Sequence, residues 1–181
     1  YGVGKGDRVA IASANGYEYL VTFWAAVSLG AVVVALNGWW TQPEMHHGIG
    51  LTEPKVLLGD ERRLERIGAV DGLPTLRFED SFKELITHDL AAALPDTPID
   101  EDDPFLVLFT SGTTGRPKGA TLTHRNNLHW AQSVMLHGAA RIAVGDAKPS
   151  GAARTVMISA APMFHVGGLN IQTTPALQLG A

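Results

Sequence analysis

Thr110-Ser111-Gly112-Thr113-Thr114-Gly115-Arg116-Pro117-Lys118-Gly119 follows without a break on the apolar run Phe105-Leu106-Val107-Leu108-Phe109. That run is too short for an ordinary helix and rich in strand formers, so it reads as a buried strand. The ten residues after it hold three glycines, four hydroxyls and one lysine. Glycine lets the backbone approach a ligand closely, backbone N–H groups can form an anion-binding concavity, and hydroxyls add donors to phosphate oxygens. Lys118 adds a mobile point charge of the kind phosphate binding uses. The loop is a candidate triphosphate grip, with Thr110, Ser111, Gly112, Thr113, Thr114, Gly115 and Lys118 as its contacts. A surface turn has a similar composition, but ten consecutive residues suited to one task favour the phosphate reading.

The spacing is not that of a Walker A loop, which needs G-x-x-x-x-G-K-[ST]. Pro117 stands where the second glycine belongs, and Gly119 follows the lysine. Ala120-Thr121-Leu122-Thr123 alternates apolar and polar like a second short strand. The expected geometry is strand–loop–strand, with phosphate held by backbone and hydroxyls rather than by a helix N-terminus.

Working outward toward the N-terminus, Arg8–Ala12 reads as a strand and residues 17–29 as a helix capped by Asn15, with Leu20, Phe23, Trp24 and Val27 on its inner face. Gly30 closes that helix, and residues 32–36 form a second apolar strand. Strand, helix and strand in about thirty residues make a βαβ unit, and continuously apolar strands suit a parallel sheet covered on both faces. Thr41-Gln42-Pro43-Glu44 opens another helix with a capping box. Residues 55–58 give a third strand, 61–67 a short helix, 76–78 a weak strand and 82–86 a weak helix. Residues 95–104, proline-rich and acidic, read as a solvated surface linker.

On the C-terminal side, residues 125–137 read as a helix with Leu128, Ala131, Val134 and Met135 near one face. Residues 145–153 read as an exposed loop and 155–158 as another buried strand. That strand leads into Ala161-Pro162-Met163-Phe164-His165-Val166-Gly167-Gly168 and an apolar, helix-like tail. An aromatic, a histidine and two glycines just beyond a strand end suit a ligand crevice, since open α/β sheets bind ligands outside the carboxyl ends of their strands. On position alone, His165 reads equally as a pocket residue and as a satisfied core histidine.

Composition narrows the classes. The 181 residues are 45% hydrophobic and 18% charged, which suits a globular domain. A net charge of -4 leaves no basic footprint for nucleic acid. The absence of cysteine removes disulfides and thiolate metal sites, and with no apolar run long enough to span a membrane and no signal peptide the expected location is cytoplasmic. Opening on Tyr1 rather than Met, the chain reads like part of something longer. His46 and His47 are neighbours and would point about 100° apart on a helix, so they do not make a metal pair; no metal site is expected. Arg62, Arg63 and Arg66 read as a solvent-facing helix surface, and Trp24, Trp39 and Trp40 as packing residues.

Taken together, the 110–119 loop with its continuation Thr123-His124-Arg125-Asn126, and the 161–168 segment, resemble the two signatures of the adenylate-forming (AMP-binding) superfamily. The opening Gly4-Lys-Gly-Asp-Arg-Val-Ala10, Leu29-Gly30-Ala31, Asn37 and Thr41-x-x-Glu44 are similar to that family's N-terminal region, so the resemblance covers nearly the whole chain. Pro162-Met163-Phe164-His165 resembles the acyl-CoA synthetase branch more than the peptide-synthetase branch. The resemblance implies an α/β fold, a mostly parallel sheet sandwiched by helices, as the first subdomain of the large N-terminal domain. Within it lie α/β repeat units over 1–94, the linker over 95–104 and the phosphate-loop and acyl-pocket segment over 105–181. It implies ATP-dependent activation of a carboxylic acid, fatty or otherwise apolar, to an acyl-adenylate and then an acyl-CoA, with ATP, Mg2+ and coenzyme A taking part. His165 would take the catalytic position beside the carboxylate, and Phe164, His165, Gly167 and Gly168 would bind the acid. Nothing here corresponds to the family's later elements, so the 181 residues alone are expected to be inactive and to self-associate through uncovered apolar surface. The competing reading is a non-catalytic nucleotide-binding or interaction module.

Overall fold

A computed structural model describes residues 1–110, 115–146 and 156–178. The elements are β1 (Arg8–Ala12), α1 (Tyr17–Ser28), β2 (Val32–Ala35), α2 (Gln42–Thr52), β3 (Val56–Gly59), α3 (Glu61–Ile67), β4 (Thr75–Arg77), α4 (Phe78–Thr87), β5 (Pro104–Thr110), β6 (Lys118–Thr123) and α5 (His124–Ala143). A π-helical segment (Gly167–Thr173) and α6 (Thr174–Gln178) follow. The sheet runs β4-β3-β1-β2-β5-β6. β1 to β5 are parallel, in register as Val9↔Val33, Ala10↔Leu57, Leu58↔Leu76 and Val34↔Val107, and β6 returns antiparallel along β5. The expected α/β fold is what the chain adopts.

Successive strand side chains alternate between faces, and here both faces are buried. On one face Val9, Ile11, Val33, Ala35, Val56, Leu58, Leu106 and Leu108 meet α1, α4 and the segment from Met163 to Leu169. On the other, Ala10, Ala12, Val32, Val34, Leu57 and Val107 meet Trp40 and the inner residues of α2 and α3, Met45, Ile49, Leu64 and Ile67. The helix boundaries follow local chemistry. Thr41 and Glu44 form the capping box of α2, the Glu44 carboxylate accepting from the Thr41 N–H at 2.8 Å and its hydroxyl at 2.7 Å. The Asp60 carboxylate caps α3 by accepting from the Arg63 N–H at 2.9 Å.

Several sequence expectations are corrected. The N-cap of α1 is Gly16, with no side-chain cap, because the Asn15 side chain turns to a distant segment instead. The inner face of α1 is Tyr19, Thr22, Phe23, Ala26 and Val27, a step round the helix from the one expected, and Trp24 stays at the surface, edge-on to Phe23. Phe78 opens α4 rather than ending β4, because Phe78 and Phe82, one turn apart, both reach the core. Residues 156–158 form no strand: no described strand lies beside them, and Val156 and Ile158 are 81% and 85% exposed. Thr155 lies outside the described residues. α5 runs longer than expected, and of its apolar residues only Ala131 is buried. The 95–104 stretch is exposed but tied at its end: Lys5 pairs with Asp103 at 2.6 Å, and Arg125 pairs with Glu101 at 2.9 Å and Asp102 at 2.6 Å.

Candidate functional site

The carboxyl ends of β1, β2, β3 and β5 share one edge of the sheet, because these strands are parallel. Two of the segments singled out in the sequence hang from that edge. The first is the loop between β5 and β6. Its base is the register pair Thr110↔Lys118, both exposed, at the last step of the antiparallel ladder. Gly115 has φ +82°, in the left-handed region that favours glycine, and Pro117 is buried. The expected contacts Ser111, Gly112, Thr113 and Thr114 lie outside the described residues.

The second segment, residues 159–168, lies across the ends of β1 and β2. Asn15, three residues beyond β1, donates to the carbonyls of Ser159 at 3.4 Å and Ala161 at 2.9 Å, while its Oδ1 accepts from the Met163 N–H at 2.9 Å. The Tyr19 hydroxyl, buried in α1, donates to the Met163 carbonyl at 3.3 Å. Burial pushes the phenol's pKa upward, so it remains a neutral donor. Both backbone groups of Met163 are thus satisfied by side chains near the chain's start. Phe164 is buried, edge-on to Trp39 at 5.1 Å. Gly168 packs so tightly that a Cβ would land on the carbonyl oxygens of Pro162 and Ala161.

His165 is exposed. Its Nδ1 accepts from the Gly167 N–H at 3.1 Å, which leaves the proton of the neutral ring on Nε2. Nε2 has no hydrogen-bond partner among the described residues. At the same sheet edge as the loop there thus stand a histidine N–H, from His165, and an aromatic wall in which the exposed Trp39 ring is backed by the buried Phe164.

Three polar side chains that the sequence reading left out or misplaced brace this edge. The Asp60 carboxylate accepts from the Ala14 N–H at 2.7 Å and pairs with Arg63 at 3.0 Å. Arg66 donates to the carbonyls of Gly38 at 3.0 Å and Trp40 at 3.2 Å. Arg66 accordingly faces the loop after β2 rather than solvent, because those turn carbonyls have no ladder partner, and Arg63 is drawn in by its pair with Asp60. The signal available was position: Asn15 and Asp60 each lie one to three residues past an apolar strand. His46 and His47 diverge, donating to the carbonyls of Ile67 at 2.7 Å and Pro117 at 3.1 Å.

A family model described as AMP-binding enzyme matches residues 1–181. The chain is 36% identical over 179 residues to a feruloyl-CoA synthase of Amycolatopsis sp, covering 99% of this chain and 33% of that protein. It is 34% identical over 192 residues to an indoleacetate–CoA ligase of Aromatoleum aromaticum, covering 99% of this chain and 35% of that protein. Among solved structures, the inhibitor-bound N-terminal domain of FACL13 from Mycobacterium tuberculosis superposes with a TM-score of 0.78 at 27% identity, covering 99% of this chain and 44% of that one. ATP-bound MatB from Rhodopseudomonas palustris gives a TM-score of 0.76 at 28% identity, covering 97% and 34%. The chain spans about a third of the length of the curated relatives it matches.

Proposed function

Because the chain belongs to the AMP-binding enzyme family, we propose that it supplies the phosphate-gripping loop and part of the acid pocket of an acid–thiol ligase. A carboxylate oxygen of the acid attacks the α-phosphorus of ATP, the bond from that phosphorus to the α–β bridging oxygen breaks, and pyrophosphate leaves. The acyl-adenylate then passes its acyl group to a thiol, the sulfur attacking the carbonyl while AMP departs and the thiol proton is lost. Coenzyme A is the thiol that the names of the relatives point to.

The observation that supports this reading is that the ends of the 111–117 loop and the 159–168 segment share one edge of the sheet. Thr110, Ser111, Thr113 and Thr114 would donate to the β- and γ-phosphates together with the loop amides, including those of Gly112 and Gly115. The Lys118 ammonium would neutralise charge building on the leaving pyrophosphate. The Nε2–H of His165 would donate to the substrate carboxylate, and the aromatic wall would take its apolar body, with Gly167 and Gly168 allowing the close turn beneath it. Among the described residues no group of three or more His, Asp or Glu could hold a metal ion. Magnesium carried by the triphosphate would screen the same charge. The acid is apolar, aryl or fatty, in keeping with the names of the relatives and solved structures. No described helix is long and apolar enough to cross a membrane.

The test is acid-dependent ATP–pyrophosphate exchange by the full-length parent with cinnamate-type and fatty acids, beside the same assay on Lys118→Ala and Thr113→Ala. Exchange that either substitution weakens is expected. No exchange with any acid tested would overturn the proposal. The 181 residues alone, a third of the relatives' length, are proposed to lack turnover.

A further inference from the structure

The described exit of the loop is tied to α2. The carbonyl of Pro117 lies one residue past the rung Thr110↔Lys118, and among the described residues no strand partner serves it. His47, half-buried on α2, reaches across and donates its Nε2–H to that carbonyl at 3.1 Å, joining residues 70 apart in sequence. Because a carbonyl can only accept, the bond fixes the tautomer with its proton on Nε2. The neighbouring residue holds the entrance. Gly48 packs against Trp40 and against Phe109, the residue before Thr110; a Cβ at 48 would sit 2.9 Å from the Trp40 ring and 3.4 Å from the Phe109 ring. Trp40 and Phe109 pack edge-to-face at 4.8 Å. The platform is itself anchored by the Thr41–Glu44 capping box and by buried Met45 and Ile49.

We infer that His47 is a positioning residue for the phosphate loop, fixing through Pro117 the point from which Lys118 leaves the sheet. The peptide that carries the Pro117 carbonyl also carries the Lys118 N–H. Holding that carbonyl sets the orientation of the peptide plane and hence where the lysine chain starts. Gly115, two residues before Pro117, stands at φ +82°, a conformation that side-chain-bearing residues rarely adopt. A grip that must meet a triphosphate in one geometry gains affinity when its ends are held beforehand. The histidine touches no reacting atom in this account. It acts on the loop, and the inference rests on the reading of that loop as an ATP grip.

The test compares the full-length parent with His47→Ala and His47→Gln, the latter keeping a side-chain N–H donor. Hydrogen exchange, read by mass spectrometry on peptides covering 110–120, reports the tether without any reference to activity. His47→Ala is expected to speed exchange there and to leave peptides from β1 and β3 unchanged. The same substitution is expected to raise the KM for ATP about five- to tenfold, the equivalent of one hydrogen bond, with little change in the KM for the acid. His47→Gln should restore most of both. Unchanged exchange over 110–120, or faster exchange with an unaltered KM for ATP, would overturn the inference. If the wild-type parent shows no acid-dependent turnover, the ligase reading fails by that result. His47 is then judged by equilibrium binding of ATP, where an affinity equal in wild type and His47→Ala, or no binding by either, overturns it as well.

Discussion

Asn15 and Met163 are 148 residues apart in sequence and joined by a 2.9 Å hydrogen bond. The same amide reaches the carbonyls of Ser159 and Ala161. One side chain at the end of β1 therefore holds three backbone groups of the segment that carries Phe164 and His165.

Asn15→Ala removes all three bonds. The expected cost is about 0.5–1.5 kcal/mol, the net worth of hydrogen bonds at an exposed to part-buried site, together with a raised KM for the acid. Asn15→Asp keeps the acceptor for the Met163 N–H but sets a carboxylate against two carbonyls, so it should not rescue. Urea unfolding and acid kinetics on the full-length parent check both. A midpoint and KM equal to wild type for Asn15→Ala would show that the segment is held by other contacts.

Gly168→Ala puts a methyl group onto the Pro162 and Ala161 carbonyls, and backbone cannot move aside as a flexible side chain can. We expect a loss of several kcal/mol, on the order of 3 or more for a forced overpacking of backbone, with the His165 region disturbed. Thermal unfolding gives the answer; a melting temperature within about one degree of wild type would contradict the packing described.

Lys118 is exposed at the start of β6, so Lys118→Ala should leave stability within about 0.5 kcal/mol of wild type. If it serves the leaving pyrophosphate, kcat/KM for ATP should fall about a hundredfold, the scale of a lost donor at a developing charge. Steady-state kinetics alongside thermal unfolding separates the two effects. A loss of stability in place of activity would mean that the lysine supports the hairpin.

His124, the first residue of α5, lies over Phe105 with ring centroids 5.1 Å apart, and its Nε2 is buried with no hydrogen-bond partner among the described residues. Burial lowers its pKa from the ordinary 6.5, Asp103 opposes the shift and Lys5 adds to it. On acidification the unfolded chain takes up this proton first, so stability is full above pH 6.5 and falls as pH drops from there toward the lower folded value. Thermal midpoints measured between about pH 7.5 and 5.5 should decline less steeply in His124→Gln than in wild type. Equal slopes would remove His124 from the acid response.

Leu128, Met135 and Leu136 on α5 are 40%, 62% and 72% exposed, and Val156 and Ile158 are more exposed still. The 181-residue chain should therefore associate with itself at micromolar concentration. Sedimentation velocity reads this directly, and a monomer across the concentration range would count against it.

Much of this molecule was legible from pattern alone. The apolar runs of β1, β2, β3 and β5 announced a two-sided parallel sheet, and Thr41 with Glu44 announced the start of α2. The misreadings share a cause. Asn15 looked like a helix cap because capping is local, whereas its partners lie in residues 159–163. Arg66 looked solvated because its carbonyl partners belong to a turn whose path depends on the tertiary fold. Residues 156–158 looked like a strand because strand propensity carries no information about whether a neighbour is present to pair. His165 and Phe164 were singled out from their position after an expected strand that does not form, and Tyr19, which holds Met163 beside them, carried no local mark.

Seen in order of synthesis, the Asn15–Met163 bond means that α1 waits. Tyr19 and Phe23 emerge early with β1 and β2, yet Met163, Phe164 and Leu169, which complete that face of the core, follow long after them in the sequence. At roughly 5–20 residues per second, the intervening 148 residues take about 7 to 30 s. For that interval an aromatic surface meant for the interior is open to solvent and to other nascent chains. The early βαβ units therefore keep apolar surface uncovered until residues 163–169 arrive to close them.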